Sequence, residues 1–391
     1  MRDHYDRQRV LYRSRYFGYG LPGSLIMNVQ QTQISAADIV SRRDAGSGWH
    51  AQIPDDKAML RAARDLTKDI SEHRADIYWP DMIGSALVGY GLLAGAILVE
   101  SVPLAIGLGV LAVLALYRAL LFIHEISHFR NGALPGFRTA WNALVGVPML
   151  TPSFMYEQVH TLHHKRTQYG TIADPEYLPL ALMKPLSLPT FVLVALLAPV
   201  ALLFRFAVLV PLGALFPPVR QLTWQRFSAL AINPEFRRRP PEGDLPRRVF
   251  WLELGGMLWS WVLIGSIFAF GWKPLLVALA IFSVVAVLNQ LRTLVAHLWE
   301  NEGDAMTVTA QFLDSVNVPP PGRIAELWAP VGLRYHALHH LMPSMPYHSL
   351  PEAHRRLVAE LENTSSYHGA NHAGMGVLVA RIARNTMRPR G

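Results

Sequence analysis

The sequence predicts an all-α integral membrane protein. It has four transmembrane helices in two hairpins, interfacial helices between the hairpins, and a cytosolic helical cap. Three observations predict this. Hydrophobic residues make up 51% of the 391-residue chain and charged residues only 16%, with a mean hydropathy of +0.21. The apolar residues gather in blocks close to the ~20 residues that a bilayer crossing needs. Short histidine clusters recur beside those blocks: His124-Glu125-Ile126-Ser127-His128, His160-Thr161-Leu162-His163-His164 and His336-Ala337-Leu338-His339-His340.

Residues 1–80 are polar and form a cytosolic N-terminal region. Gln30-Gln31-Thr32-Gln33 and Ala45-Gly46-Ser47-Gly48 read as loops, and residues 55–73 read as an amphipathic helix. No apolar stretch opens the chain, so the first span is the expected targeting signal. The membrane domain covers 81–299, with spans at about 82–99, 104–123, 249–270 and 275–298. Glu100-Ser101-Val102-Pro103 and Gly271-Trp272-Lys273-Pro274 are the hairpin turns. The insert 124–248 is cytosolic or interfacial. Its apolar run 186–216 is broken by Pro189, Pro199, Arg205 and Pro211, and reads as interfacial helices or a re-entrant dip. Residues 300–391 form the cytosolic C-terminal cap that carries the third cluster, with a short helix at 353–361.

Charge supports that topology. The chain carries 36 basic and 28 acidic residues, net +8. The two turns between paired spans hold one basic residue, Lys273, whereas the linkers hold Arg130, Arg138, Lys165, Arg166, Arg237–Arg239, Arg247 and Arg248. The positive-inside rule then places both termini and all the histidine clusters in the cytoplasm. Nucleic acid is not an expected partner, since no basic stretch is interleaved with stacking aromatics. The expected surroundings are membrane lipids.

On a helix, histidines at i, i+3 and i+4 share a face and can chelate a metal. The eight clustered histidines are therefore candidate ligands. His297, a polar ring at the cytoplasmic end of a span, is a ninth. Nine imidazoles suit two ions, with four or five each. His4, His50, His73, His368 and His372 read as ordinary histidines, and His348 and His354 as structural neighbours of the third cluster. The chain has no cysteine, which excludes disulfides, thiolate haem, Cys-ligated iron–sulfur clusters and Cys zinc sites within it. A redox metal at a lipid-facing site favours C–H oxidation over hydrolysis, with electrons from a separate carrier.

The order His-x-x-x-His, His-x-x-His-His and late His-x-x-His-His, with paired spans before the first and last, resembles the membrane fatty acid desaturase and hydroxylase superfamily, the three-histidine-box enzymes. The stretches His339 to Leu350 and Thr171-Ile172-Ala173-Asp174-Pro175-Glu176 look like its bacterial acyl-lipid desaturase branch. The resemblance spans roughly residues 80–360. It implies a non-haem centre of two iron ions between bundle and cap, ligated by His124, His128, His160, His163, His164, His297, His336, His339 and His340. It also implies dioxygen as co-substrate and two electrons from an external reductant, a ferredoxin or a cytochrome b5-like donor. The implied reaction is desaturation of the fatty acyl chains of lipids, with acyl hydroxylation as the alternative. The implied place is the bacterial inner membrane, with the active site on its cytoplasmic face. Four further residues are candidates for supporting the ligands: Glu125, Asp174, Asn289 and Thr293. Glu125 stands where many desaturases have Asp. Thr293 stands where acyl-CoA desaturases have an Asn that holds a metal-bound water, and Asn289 lies two turns before His297. A basic face at Arg237–Arg239, Arg247, Arg248, Arg355 and Arg356 would receive an acidic carrier.

A rival reading is hydrolytic. His124-Glu125-Ile126-Ser127-His128 also fits the His-Glu-x-x-His pattern of zinc metalloproteases, with Glu125 as general base. A metal transporter or sensor is a third reading, although its ligands would belong near mid-membrane.

Overall fold

The computed structural model describes residues 53–387 except 131 and 323. The loops expected at 30–33 and 45–48, and His4 and His50, lie outside the described residues. Among the described residues, helices and turns account for the secondary structure, and pairing between extended residues is limited to isolated bridges.

Helix α1, Lys57–Asp65, is capped by Asp56, whose side chain accepts from Met59 N, and it buries Met59 and Ala63. It is shorter than the stripe to residue 73 suggested. Thr67 donates its hydroxyl to Ala63 O, and only a 3-10 turn, Lys68–Ile70, follows. Helices α2, Ala75–Leu98, and α3, Val102–His128, form the first hairpin. A Cβ on Gly89 would lie 2.6 Å from Leu116 Cδ2, so glycine permits the close approach of α2 to α3. No Gly or Pro lies between Ile123 and His128. The helix therefore continues past its apolar block and carries the whole first cluster on its last turns.

Helix α4 runs through the apolar stretch Ser187–Leu215. The expected breaks are absorbed. Pro199 and Pro211 each fall in the first turn of a restarted helical segment, where a missing N–H is tolerated. Short 3-10 and π turns separate the segments. The result is a fifth stretch long and apolar enough to cross a membrane by length and composition. Helix α5, Pro217–Phe227, folds back along it, and Arg205 Nε donates to Phe227 O at 2.6 Å. Both ends of this excursion lie on the histidine side. Leu188 and Phe191 join a core with Leu294 and Trp299, and Leu230 N donates to Met155 O.

Helices α6, Leu245–Phe270, and α7, Lys273–Leu294, form the second hairpin. Arg205, 2% exposed, pairs with Glu253 of α6 at 2.6 Å, the partner that a charge at such a position needs. Lys273 Nζ donates to Val99 O at 3.2 Å, which sets the two hairpin turns side by side at the end away from the histidines. Outward apolar side chains such as Leu98 and Phe268 are exposed, as a lipid-facing surface requires.

One expected boundary is corrected. His297 does not end the last span, because α7 stops at Leu294. Residues 296–298 pair instead with the cap: Leu298 N donates to Asp314 O and Val316 N to Ala296 O. His297 sits in that bridge, opposite Ser315. The cap contains α8, Val308–Asp314, α9, His336–Leu341, α10, Leu350–Glu360, and α11, Met375–Met387. Its apolar core includes Met59 and Ala63 of α1 along with Tyr177, Trp299, Phe312 and Tyr367, so the N-terminal piece packs into the cap.

Candidate metal centre

The nine predicted histidines converge, and they do so in two groups. His124, His128, His160, His164 and His339 form one; His163, His297, His336 and His340 form the other. Within each group the candidate ligand atoms lie within 4.8 Å of one another. Helix geometry explains the division. At ~100° per residue, i+4 falls about 40° from i, whereas i+3 falls about 60° to the other side. The i, i+4 pair of each box therefore stays together and the i+3 ring diverges. His160 and His164 enter the five-imidazole group and send His163 to the other. His336 and His340 enter the four-imidazole group and send His339 across. The first box completes one group from α3, and His297 completes the other.

Hydrogen bonds fix several rings. His163 Nδ1 lies 3.0 and 2.9 Å from the two oxygens of Asp174, to which it donates. Asp174 is itself held by the N–H groups of Gly170 and Glu176. The Tyr169 hydroxyl donates to Asp314 Oδ2 at 2.8 Å and so accepts from His297 Nδ1, also at 2.8 Å. In the other group His160 Nδ1 donates to Glu176 Oε1 at 2.8 Å, while the Tyr156 hydroxyl donates to Glu176 Oε2.

These partners test whether a metal fits. A neutral imidazole with its proton on Nδ1 presents a lone pair at Nε2. If both rings were in that state, the Nε2 atoms of His163 and His297, 3.2 Å apart, would set lone pair against lone pair. That contact needs a proton or a metal cation between the two nitrogens. His336 Nε2 meets both His297 Nε2, at 3.1 Å, and His340 Nε2, at 3.2 Å. One nitrogen with a single proton or a single lone pair cannot satisfy both. In the five-imidazole group His164 Nε2 lies 3.0 Å from His160 Nε2 and 3.1 Å from His339 Nε2. Two nitrogens bound at right angles to one ion at ~2.1 Å would be roughly 3.0 Å apart. The donor set fits two ions, and an all-imidazole set suits iron, zinc, copper or nickel.

Titration follows burial. Burial pushes the rings of His160, His164, His297, His336, His339 and His340 well below the usual histidine range, which keeps them neutral. His163 is the exception. Burial disfavours its charge, but the Asp174 carboxylate outweighs burial and raises it. Burial lifts Glu176 to about 7, against the pull of His163 and Tyr156.

The four expected supporting residues fare differently. Asp174 holds His163 as described. Glu125 is not a partner of a ligand ring: its Oε1 is 3.7 Å from His124 Nδ1, too far for a hydrogen bond. Its Oε2 accepts from the Tyr78 hydroxyl and from Tyr347 N, tying α3 to α2 and to the segment after the third box. Asn289 and Thr293 face Arg292, whose Nη2 lies 3.5 and 3.1 Å from their side-chain oxygens. Reading the sequence missed Glu176, Tyr156, Tyr169 and Asp314 as supports. Glu176 lay within the Asp174-Pro175-Glu176 run, two residues from a named candidate. Tyr169 and Asp314 carried no such signal, because neither stands at helical spacing from the ring they orient.

A family model described as fatty acid desaturase matches residues 100–370. A ceramide hydroxylase of Caulobacter vibrioides (strain NA1000 / CB15N) is 49% identical over 331 residues, covering 83% of this chain and 93% of that protein.

Proposed function

The chain belongs to the fatty acid desaturase family, and we propose that within it the protein is a di-iron membrane hydroxylase of a ceramide-like, N-acylated lipid. The likeness to the Caulobacter ceramide hydroxylase carries this reading. It favours hydroxylation over the acyl desaturation first expected from the histidine pattern. Membership of this family leaves the His-Glu-x-x-His protease reading without support, as does the engagement of Glu125 by Tyr78 and Tyr347.

The reaction breaks one substrate C–H bond and the O–O bond of dioxygen, and forms one C–O bond. The second oxygen atom leaves as water, taking two electrons and two protons from the external reductant and solvent. Dioxygen activation and electron uptake are what bound iron would supply there. His124, His128, His160, His164 and His339 would hold one ion, and His163, His297, His336 and His340 the other. Asp174, Glu176 and the Tyr169–Asp314 pair keep protons on Nδ1, so that Nε2 stays free to ligate. The ends of α3 and α7 and the cap bury the centre and exclude bulk water. The site faces the cytoplasm of a bacterial inner membrane, as the loop charges argue. There a ferredoxin or cytochrome b5-like carrier delivers the electrons.

Lipid analysis of a ceramide-making host that expresses the chain tests this. A ceramide heavier by one oxygen atom is the expected product. A product lighter by two hydrogens, with no hydroxylated ceramide, would overturn the proposal and restore desaturation.

A further inference from the structure

Beside the four-imidazole group lies a narrow cleft of about 10 Å³, room for one water-sized group, lined by Arg292, Val295, Val316, Trp328, Arg334 and His336 among others. Its walls are largely apolar, and it contains two guanidinium groups in very different states. Arg334 is fully occupied: Nε donates to Val318 O, Nη1 to Glu326 and Nη2 to Gly322 O. Arg292 is 8% exposed, and its Nε is buried with no partner. Its neighbours are the neutral oxygens of Thr293, Asn289 and Tyr117, and among the described residues no carboxylate forms an ion pair with it. A buried cation lacking a carboxylate is costly, and more so beside a centre that binds metal cations. The dipole of α7, which ends two residues later, offsets part of that cost. The unused Nε–H remains.

We infer that Arg292 binds an acceptor oxygen at the polar end of the lipid substrate, the amide carbonyl or a hydroxyl of an N-acylated lipid. The cleft is narrow enough to admit an oxygen-bearing group rather than an acyl chain. Trp328, at the end of the short helix Ala325–Trp328, lines it, and the neighbouring Ile324 and Leu327 are 73% and 54% exposed, an apolar surface suited to a lipid. His336 belongs both to the cleft wall and to the four-imidazole group. An oxygen held here fixes the carbons within a few bonds of it beside the centre. The hydroxyl is therefore introduced near the polar end, not in mid-chain. Arg292 is in this sense a specificity-determining residue. The inference rests on the proposed lipid hydroxylase reading.

The test compares wild type, Arg292→Gln and Arg292→Lys as full-length, iron-loaded protein in lipid nanodiscs. Binding of a ceramide, and of an alkane of matching chain length, is measured by native mass spectrometry. The position of the new hydroxyl is read by fragmentation. Arg292→Gln should weaken ceramide binding roughly tenfold, the scale of one charge-assisted hydrogen bond, and leave alkane binding unchanged. Its products should scatter along the chain, and Arg292→Lys should lie between. Equal losses for ceramide and alkane, or unchanged ceramide binding with an unchanged product, would overturn the inference. A wild-type enzyme that desaturates an acyl lipid and leaves ceramide alone would overturn the hydroxylase reading instead. The binding comparison, repeated with that lipid, still decides Arg292.

Discussion

The two imidazole groups draw on the same boxes but are held in place by different means. The five-imidazole group takes two rings from the rigid end of α3, and of its five rings only His160 has a carboxylate hydrogen-bonded to it. Packing aims the rest: both nitrogens of His124 and the Nδ1 atoms of His164 and His339 are buried without a hydrogen-bond partner. The four-imidazole group has no ring on a membrane-spanning helix. Hydrogen bonds hold two of its four rings, Asp174 to His163 and the Tyr169–Asp314 pair to His297, while the Nδ1 atoms of His336 and His340 are buried without a partner. One group is anchored on the bundle through His124 and His128, and the other takes its rings from the insert, the segment after α7 and the cap. Perturbing the cap should therefore damage the two unequally.

Removing one ligand from each group is the strongest test. His163→Ala and His339→Ala should each lower turnover by more than about a hundredfold, beyond the usual effect of losing a supporting residue. Both proteins should still insert, since the spans are unchanged. Iron analysis separates them. His163→Ala leaves three imidazoles in its group and should retain about one ion; His339→Ala leaves four in its group and should retain more. Equal iron in both variants would break the comparison.

The next test moves one layer out. Asp174→Asn keeps the shape but loses the charge that holds the His163 proton on Nδ1. It should lower activity or iron affinity roughly ten- to a hundredfold, with the four-imidazole group losing iron first. Glu176→Gln supports one ring among five and should cost less. A larger loss with Glu176→Gln would reverse the ranking of the two groups.

Much of this was legible in the sequence, for a physical reason. Box spacing is a local property of one helix, so all nine histidines, the hairpins and the membrane class could be read directly. The division of the second and third boxes between the two groups is also implicit in that spacing, since 3 and 4 residues fall on opposite sides of i. What was not legible depends on contacts between distant segments. His297 was expected on α7, yet residues 296–298 leave the helix to pair with 314–316. Tyr169 and Asp314, 145 residues apart, meet only in the folded cap. Glu125 was expected beside a ligand ring because it is next to His124 in sequence. On a helix, however, adjacent residues diverge by about 100°, and its carboxylate went to Tyr78 and Tyr347 instead.

That correction changes what Glu125 variants should do. Glu125→Ala leaves Tyr347 N and the Tyr78 hydroxyl without their acceptor. It should destabilise the protein by about 1–3 kcal/mol, seen as a lower melting temperature in detergent. Glu125→Gln retains an acceptor oxygen and should cost less. Loss of activity in Glu125→Gln at unchanged melting temperature and iron content would restore a chemical role.

The smallest expected effect concerns the surface around the centre, where the proposed electron carrier would dock. The basic face read from the sequence is partly neutralised in the fold. Arg238 is buried, with Nη2 donating to Glu157 O. Arg248 pairs with Glu157, and Arg355 and Arg356 pair with Glu352. Lys165, next to His164, and Arg239 and Arg247 are exposed, with no carboxylate partner among the described residues. Charges that are already paired add little to the field an approaching acidic protein feels, whereas unpaired ones steer it over about one Debye length, ~10 Å at 0.1 M salt. Lys165 adjoins the five-imidazole group, so steering should favour reduction through that group. Lys165→Glu should slow reduction by an acidic carrier a few-fold at low salt and by less as salt rises. Arg355→Glu, which breaks a surface pair far along α10, should change the rate little. Stopped-flow reduction across an ionic-strength series measures both. Equal slowing by the two variants would mean that net charge, not the position of Lys165, governs docking.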